Sequence, residues 1–346
     1  MTLKYGFLGL PQGGAKAGVP FDPDAPAAER RERLADFARA MAPLLRARIY
    51  IPMPDMGTNN EDIRGMLRAA GVPLRRRELR GARSGYYTAR GVLAAARAAA
   101  AHLGLPWNGS RAVIEGFGKV GSALARMLDE TGVRVVGVST SRGAIHHPGG
   151  LPVARLLEAS AARGSAFVET FPDAERIPLP RLLELPCDLL LPCARHHSLH
   201  RDNAGRIAAR IVSPGANSPA TGEAEDALAR RGVLVVPDFV GNCGGVLGGT
   251  MEFAGVSPAA IDAFLERRLG HRIAELLREA DRRQVALREL ATSVALDRLD
   301  LVRRRAETPA WHQTLFRAGL ALYRRGAVPE ALVGRLSRRY FDRLLG

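Results

Sequence analysis

The spacing of apolar residues predicts a chain that begins with helices. Residues 26–47 carry apolar side chains at helical intervals, and residues 88–103 form a second, alanine-rich helical stretch. Between them, the apolar run at residues 48–51 predicts a short buried strand that ends at the prolines after it. Asn59 or Asn60 then has the short polar side chain that caps a further helix.

The pattern changes at Arg111, where short apolar strands begin to alternate with helical segments. The stretch RAVIEGFGKVGSALARMLDETGVRVVGVST is typical of a strand, a glycine turn, a helix and a second strand. Apolar strands return in CDLLLPC, RIVSPG and GVLVVPD, and beyond residue 257 the chain is helical and highly charged. This alternation predicts an α/β fold with a parallel, Rossmann-type sheet covered by helices.

The predicted organisation is two domains built from three parts of the chain. Residues 1–95 form an N-terminal α/β domain, and residues 96–250 form the Rossmann-type domain. Residues 251–346 supply helices that pack on the first domain, and from about residue 306 they include an extra arginine-rich extension. A chain of 346 residues is long enough to bury two such hydrophobic cores.

Composition and charge argue against several classes of protein. No apolar run reaches the roughly 18 residues of a membrane span, and three cysteines without metal spacing predict reduced thiols in a cytoplasmic protein. The net charge of +15 suggests a nucleic-acid partner, but the arginines alternate with Glu and Asp as on solvated helix faces. We therefore expect no nucleic-acid partner, no membrane partner and no metal, since the histidine clusters also lack ligand spacing.

Three glycines after the first strand form the pattern G-x-G-x-x-G. Gly116, Gly118 and Gly121 directly follow an apolar strand and open a helix. The first glycine permits a tight turn, the second lets a pyrophosphate approach the backbone, and the third permits close packing of the helix on the strand. The turn predicts a dinucleotide site, although a glycine turn without a ligand has the same spacing.

The end of the second strand bears on which dinucleotide is bound. An acidic residue normally holds the ribose 2′-hydroxyl of NAD at this point, whereas this chain has Ser139, Thr140 and then Arg142. Hydroxyl groups beside a guanidinium favour the 2′-phosphate of NADP, or the use of both cofactors. The alternative is that Arg142 is a solvated surface residue, so NAD and NADP both stay open with a preference for NADP.

Lysine is so rare in this chain that its positions are informative. Among 50 lysines and arginines only three are lysine, and two of these, Lys4 and Lys16, lie in a glycine-rich segment. Arginine keeps its proton at physiological pH, whereas a desolvated lysine can release it, so these positions predict proton chemistry. Asp55, in the segment IPMPDMGTNNEDIRGM, is a candidate acid or base beside them.

Five segments give the sequence a specific resemblance to a known family. They are, in chain order, MTLKYGFLGLPQGGAKAGV, IPMPDMGTNNEDIRGM, VIEGFGKVGSALARML, IVSPGANSPATGEAEDALARRGVLVVPDF and GNCGGV. With these motifs in this order, the chain resembles the glutamate/leucine/phenylalanine/valine dehydrogenase family and is closest to its glutamate branch. The resemblance implies that the N-terminal domain binds substrate. It also implies NAD(P)-dependent, reversible oxidative deamination of an L-amino acid to a 2-oxo acid and ammonia.

The resemblance also implies roles for individual residues. Lys4 binds the α-carboxylate of the substrate, Lys16 activates the water that attacks the imine, and Asp55 moves protons to and from the amino group. Thr88 and Gly249 lie at the substrate. Together with the residues of the second strand, the expected cofactor-binding set is Gly116, Phe117, Gly118, Lys119, Val120, Gly121, Ser139, Thr140, Arg142, Ala194, Asn217 and Asn242.

Four departures from the family pattern limit what the resemblance implies. We expect the chain to lack an early segment that carries a strand and a further substrate lysine, and Gly249 stands where glutamate enzymes have a serine. Tyr86 and Tyr87 replace small residues, and the arginine-rich extension is additional. Since the groups that would specify glutamate are missing, the substrate side chain stays open and an apolar one is compatible.

These departures keep a second hypothesis beside the active enzyme. In it the chain is a catalytically weak paralogue that serves as a regulatory or structural subunit. The resemblance implies an oligomer, either of this chain alone or with a full-length homologue.

Overall fold

The computed structural model describes residues 1–22, 25–55, 57–74, 83–307 and 311–345. The strands of these residues are β1 (Arg111–Glu115), β2 (Arg134–Thr140), β3 (Gly143–His146), β4 (Glu175–Ile177), β5 (Leu189–Pro192), β6 (Ile211–Val212) and β7 (Leu234–Val235). The helices of the same residues are α1 (Thr2–Leu8), α2 (Ala27–Ala40), α3 (Ala42–Arg46), α4 (Asn60–Ala69), α5 (Ser84–His102), α6 (Lys119–Asp129), α7 (Val153–Arg163), α8 (Leu179–Leu183), α9 (Arg201–Ala204), α10 (Gly222–Arg230), α11 (Asp238–Gly241), α12 (Gly244–Phe253), α13 (Pro258–Phe264), α14 (Gly270–Arg283), α15 (Leu287–Glu307), α16 (Trp311–Arg325) and α17 (Glu330–Leu344). A 3₁₀ helix spans Gly164–Glu169, and a π-helical turn spans Leu265–Leu269.

The strands form one sheet in the order β4-β3-β2-β1-β5-β6-β7. The five strands from β2 to β7 in this order run parallel, while β3 is antiparallel to both of its neighbours. The chain leaves β1 towards β2 and later returns to the other side of β1 with β5. Such a reversal of strand order opens a crevice at the carboxyl ends of the strands, so the predicted Rossmann-type α/β fold is confirmed.

Both faces of this sheet are buried, which explains why its strands are continuously apolar. In β1, Ala112 and Ile114 belong to one hydrophobic cluster, which includes residues of α5 and α6. Val113, between them, belongs to a second cluster on the opposite face, with Leu182 and Leu228. Successive strand residues point to opposite faces, so each strand contributes to both cores.

The helices near the N-terminus have their own small core. α2 packs on α4 around Leu34, Ala38, Ile63 and Met66. Asn59 caps α4 and exchanges hydrogen bonds with its third residue, as the polar pattern predicted. The single helix predicted over residues 26–47 is divided into α2 and α3.

The strand predicted over residues 48–51 is wrong. This segment is irregular, and the side chains of Ile49 and Ile51 are exposed rather than buried. Among the described residues before Ser84 there are helices and loops but no strand. A short extended segment gains little without a neighbouring strand to receive its hydrogen bonds.

The C-terminal helices connect the two ends of the chain. α15 packs against α1, and Gly6 allows the contact, because a Cβ at this position would lie 2.2 Å from the carbonyl oxygen of Ala295. α5 packs against α12, α14 and α6, so it contacts both the C-terminal helices and the sheet domain. The described part of the predicted extension forms α16 and α17. No helix among the described residues is long and apolar enough to cross a membrane.

Substituting Gly6 by Ala tests whether the contact between α1 and α15 is essential. The added methyl group would overlap backbone, so we expect Gly6→Ala to lower the free energy of unfolding by about 1–3 kcal/mol. Gly65→Ala in α4 is the matched control, since a Cβ there meets open space and alanine favours a helix by about 0.5–1 kcal/mol. Urea denaturation of both variants measures the difference, and equal stabilities would show that α1 is not held this way.

Candidate active site

Two of the three glycines of the turn after β1, Gly116 and Gly121, are required by the geometry around them. Gly116 has a positive φ of 92°, and a Cβ on it would lie 2.8 Å from the Cβ of Ala194. A Cβ on Gly121 would lie 2.0 Å from the carbonyl oxygen of Gly116, so the helix α6 approaches the strand closely. Gly118, at the start of α6, faces open space. The turn therefore offers a pyrophosphate the free backbone and helix N-terminus that it needs.

The side chains of this turn divide between core and surface. Phe117 is buried with its ring 5.4 Å from that of Phe167, whereas Lys119 is exposed. Val120 lies next to Gly215, where a Cβ would be 3.0 Å from its side chain. The chain that follows β5 thus brings the predicted cofactor residue Ala194 to the glycine turn, and the chain that follows β6 brings Gly215 against Val120.

The residues at the end of β2 are engaged by the protein itself. The Ser139 hydroxyl accepts a hydrogen bond from the backbone N–H of Gly116, at 3.0 Å. Thr140 donates to the carbonyl of Ser165 and accepts from the N–H of Arg142. The Arg142 guanidinium lies 3.0 Å from Glu169. Ser139 therefore supports the turn from behind, while Arg142 is exposed and paired.

A chain of hydrogen bonds joins Lys4 to the loop after β6. The Lys4 ammonium donates to the side-chain oxygen of Asn217 at 2.7 Å, and the same oxygen accepts from the Asn242 amide at 3.2 Å. The Asn242 amide also donates to the carbonyls of Gly215 and Ala216. The structure thus brings three predicted residues together, although Lys4 is 213 positions from Asn217 in the sequence.

The side-chain oxygen of Asn242 is buried and accepts no hydrogen bond from any described residue. A buried acceptor without a partner is costly, and it is suited to a donor such as the carboxamide of a nicotinamide ring. With the open space at Gly118, this oxygen shows that the residues present fit a dinucleotide.

Burial of Lys4 shifts its pKa. The residue is 8% exposed, and this burial lowers the pKa of its ammonium group, as does Lys16 nearby. The negative charge of Asp238 acts in the opposite direction. Asp238 is itself fixed by Arg288 at 3.0 Å, so the site holds a cation and its counter-charge in one buried cluster.

Lys16 and Asp55 contact each other through a direct ion pair. Both side chains are about half exposed, at 49% and 63%. The backbone N–H of Asp55 donates to the Thr58 hydroxyl, at 2.9 Å, which holds the loop before α4 in place. The structure thus brings the two predicted catalytic residues into direct contact.

The predicted substrate residues Thr88 and Gly249 belong to two helices that pack closely. The Thr88 hydroxyl donates to the carbonyl of Ser84, and a Cβ on Gly245 would lie 2.3 Å from it. Gly249 lies one turn further along α12, and a Cβ there meets nothing within 4 Å. There is room at Gly249 for a larger side chain or for a larger substrate.

The two tyrosines that replace small family residues have structural partners. Tyr87 is fully buried against Gly248, where a Cβ would lie 2.4 Å from its ring. The Tyr86 hydroxyl donates to Asp262 at 2.8 Å. Tyr87 is therefore a core residue, and Tyr86 ties α5 to α13.

Two further groups at the crevice were missed from the sequence. Glu115, at the carboxyl end of β1, is buried, and burial raises the pKa of its carboxyl group, opposed by Ser198 and by Arg195, whose Nε lies 4.0 Å away. Asp238 is the other. A charged residue at the end of the apolar strand AVIE was the available signal for Glu115.

The described residues contain no group of three His, Cys, Asp or Glu side chains that could hold a metal ion.

Comparison with known proteins identifies the family of the chain. Residues 83–305 match the family model described as Glutamate/Leucine/Phenylalanine/Valine dehydrogenase, and residues 1–70 match the Glu/Leu/Phe/Val dehydrogenase, dimerisation domain. The chain belongs to the glutamate/leucine/phenylalanine/valine dehydrogenase family. The predicted resemblance is confirmed.

Relatives within the glutamate/leucine/phenylalanine/valine dehydrogenase family include enzymes of both cofactor types. The chain is 36% identical over 261 residues to an NAD-specific glutamate dehydrogenase of Staphylococcus aureus, covering 71% of the chain and 62% of the relative. It is 34% identical over 266 residues to an NADP-specific glutamate dehydrogenase of Saccharolobus shibatae, covering 73% and 62%. The chain thus spans 62% of the length of these relatives.

A solved structure of the same family has a similar fold over most of the chain. The hetero-hexameric glutamate dehydrogenase of Thermus thermophilus, in its Leu-bound form, superposes with a TM-score of 0.76 and 29% identity. The match covers 90% of this chain and 77% of that one. The two-domain fold predicted from the resemblance is therefore that of its structural relatives.

Replacing Lys4 by Met tests the buried charge directly. Because the pKa of Lys4 is lowered in the folded protein, the unfolded chain binds more protons between the lowered value and the ordinary one near 10.5. The stability of the wild type should therefore rise with pH through that window, and Lys4→Met should be more stable at neutral pH by up to about 1 kcal/mol.

The advantage of Lys4→Met should shrink as the pH approaches 10, as measured by urea denaturation at several pH values. Lys119→Met, at an exposed position, is the control and should show no such trend. A difference for Lys4→Met that stays constant with pH would contradict the buried-charge interpretation.

Proposed function

We propose that the protein catalyses the NAD(P)-dependent oxidative deamination of an L-amino acid to a 2-oxo acid and ammonia. The observation that carries this proposal is the hydrogen-bonded series Lys4–Asn217–Asn242. In this series an ammonium group, which we infer binds the substrate carboxylate, lies close to a buried amide whose free oxygen supports cofactor binding. The family of the chain supports the same chemistry.

Each protein group would act on a defined part of the substrate. The Lys4 ammonium binds the α-carboxylate, and the lowered pKa of Lys4 means that this attraction is lost at a lower pH than for an exposed lysine. Asp55 accepts and returns the proton of the amino group. Lys16, whose side chain is half exposed, first releases its ammonium proton to solvent and then takes the proton of the water that attacks the imine. When bound, the dinucleotide supplies the acceptor for the hydride of the α-carbon.

For the cofactor, we infer NAD or NADP with a preference for NADP. The last residues of β2 include no acidic residue, and the exposed Arg142 guanidinium follows them, paired with Glu169 of the 3₁₀ helix. Its ion pair with Glu169 has to be shared or broken if Arg142 is to bind a 2′-phosphate. Since an exposed ion pair is worth about 0–1 kcal/mol, this cost is small beside a charge-assisted bond to phosphate.

For the substrate side chain, we infer an apolar or otherwise unusual amino acid. The open space at Gly249 supports this, because no hydroxyl is present there to meet a side-chain carboxylate. The side-chain carboxylate of glutamate would lack the hydrogen bond that a serine at this position provides in glutamate enzymes, so glutamate would be bound less tightly.

A regulatory or structural subunit is the second candidate function. The similarity to a subunit of a hetero-hexameric glutamate dehydrogenase favours it. The match of residues 1–70 to a dimerisation domain supports assembly into an oligomer, either of this chain alone or with a homologue. Cytoplasmic location stays a prediction from the sequence.

The activity is tested with purified protein, ammonia, NADH or NADPH, and a panel of 2-oxo acids that includes 2-oxoglutarate, 4-methyl-2-oxopentanoate and phenylpyruvate. Lys16→Arg keeps the positive charge but cannot release a proton, so we expect kcat to fall by about 100-fold or more. Arg39→Lys, on the exposed surface of α2, should leave kcat unchanged. Wild-type protein that is inactive with every acid but binds an active homologue would support the subunit instead.

Substituting Gly249 by Ser tests the side-chain specificity. The hydroxyl would enter open space and could accept or donate a hydrogen bond to a side-chain carboxylate. We expect kcat/KM for 2-oxoglutarate, relative to 4-methyl-2-oxopentanoate, to rise about tenfold. Gly205→Ser, where a Cβ also meets open space, is the control. An unchanged ratio would mean that Gly249 does not contact the substrate side chain.

A further inference from the structure

A cavity of about 560 Å³ lies among the C-terminal helices, and the proposed reaction does not use it. Its walls come from α12, α13, the π-helical turn, α14 and α17. The residues of α17 lie beyond both regions that match the family models. The wall that α17 contributes is therefore the part of the cavity outside the regions that match the family models.

The charges around this cavity are unbalanced. Arg267 and Arg268 line it from the π-helical turn and Arg338 from α17, and the carboxylate among the lining residues is that of Asp342. Asp342 lies 3.5 Å from Arg268. Counting the lining histidine, His271, as neutral, three guanidinium groups against one carboxylate leave a net charge of two positive units.

Two of these guanidinium groups have no acidic partner among the described residues. Neither Arg267 nor Arg338 lies within 4 Å of a carboxylate there, and Arg267 bonds only to the backbone carbonyl of Ala263. The cavity thus concentrates positive charge that the protein itself does not neutralise.

Two consecutive arginines line the cavity from a π-helical turn. Arg267 and Arg268 both belong to the turn at Leu265–Leu269. Turns of this kind are rare and occur frequently at functional sites.

The inner wall of the cavity is apolar. Met251 of α12 and Phe264 of α13 are buried and line it, together with Ala260 and Ala263. A ligand that fits must therefore carry an apolar or aromatic body as well as negative charge. The volume lies in the range of about 300–1,000 Å³ that small-molecule sites usually have.

We propose that this cavity binds a small phosphate monoester with an apolar or aromatic body. Such a group carries a charge of about −1.5 to −2 at neutral pH, which matches the two positive units of the cavity. Guanidinium groups bind phosphate through paired N–H donors, whereas a single carboxylate would neutralise only half of the charge. The proposal does not depend on the proposed enzyme activity.

Isothermal titration calorimetry with three probes tests both parts of the ligand. Phenyl phosphate has the ring and the dianion, inorganic phosphate has only the anion, and phenol has only the ring. We expect the full-length wild type to bind phenyl phosphate at one site, about tenfold or more tightly than inorganic phosphate, and to show no binding of phenol.

A pair of double variants with the same change in net charge tests the location. The variant with Arg267→Gln and Arg338→Gln should lose affinity for phenyl phosphate by about tenfold or more. Its control replaces Arg335 and Arg339 by Gln, since both are exposed on α17 but do not line the cavity. The control should bind phenyl phosphate within about twofold of the wild-type affinity, since exposed charges outside the cavity are partly screened by salt. Circular dichroism and thermal unfolding verify that both variants fold.

Three outcomes would overturn the proposal. The first is an absence of binding of phenyl phosphate to the wild type. The second is equal loss of affinity in both double variants, which would indicate attraction by net charge alone. The third is inorganic phosphate that binds as tightly as phenyl phosphate, which would exclude a role for the apolar wall.

Discussion

The burial of the Lys4 ammonium group is the constraint on which the active site depends. A cation removed from water must be met by polar groups, and Lys4 obtains them from Asn217 and from the field of Asp238. Asn217 is held in turn by Asn242, and Asp238 by Arg288 of α15. The site therefore forms only when α15, the loop after β6 and α1 have packed together.

Close backbone contacts at glycine residues fix the relative positions of these helices. Glycine lets α1 meet α15 at Gly6 and lets α12 meet α5, where Gly244 and Gly248 contact the backbone and ring of Tyr87. At each of these positions even one methyl group would overlap its neighbour. Packed interiors have little free volume, so these glycine contacts fix the helices that carry Lys4 and Thr88, although the glycines take no part in the chemistry.

Much of this arrangement could be predicted from the sequence because its signals are local. The turn at Gly116 and the cap at Asn59 depend on neighbouring residues, and both have the geometry that their patterns indicate. The strand predicted at residues 48–51 failed because a strand needs a partner that local pattern does not show. Glu115 was missed for a similar reason, since its burial is decided by residues of the loop after β5.

The helix α12 is the element through which the active site and the basic cavity are physically connected. Gly245 of α12 contacts Thr88, and Met251 of the same helix lines the cavity. A second connection runs from the π-helical turn, where Glu266 pairs with Arg90 and Arg97 of α5. Both connections are close contacts in a packed interior, which has few voids. The two sites therefore share a framework even though they share no side chain.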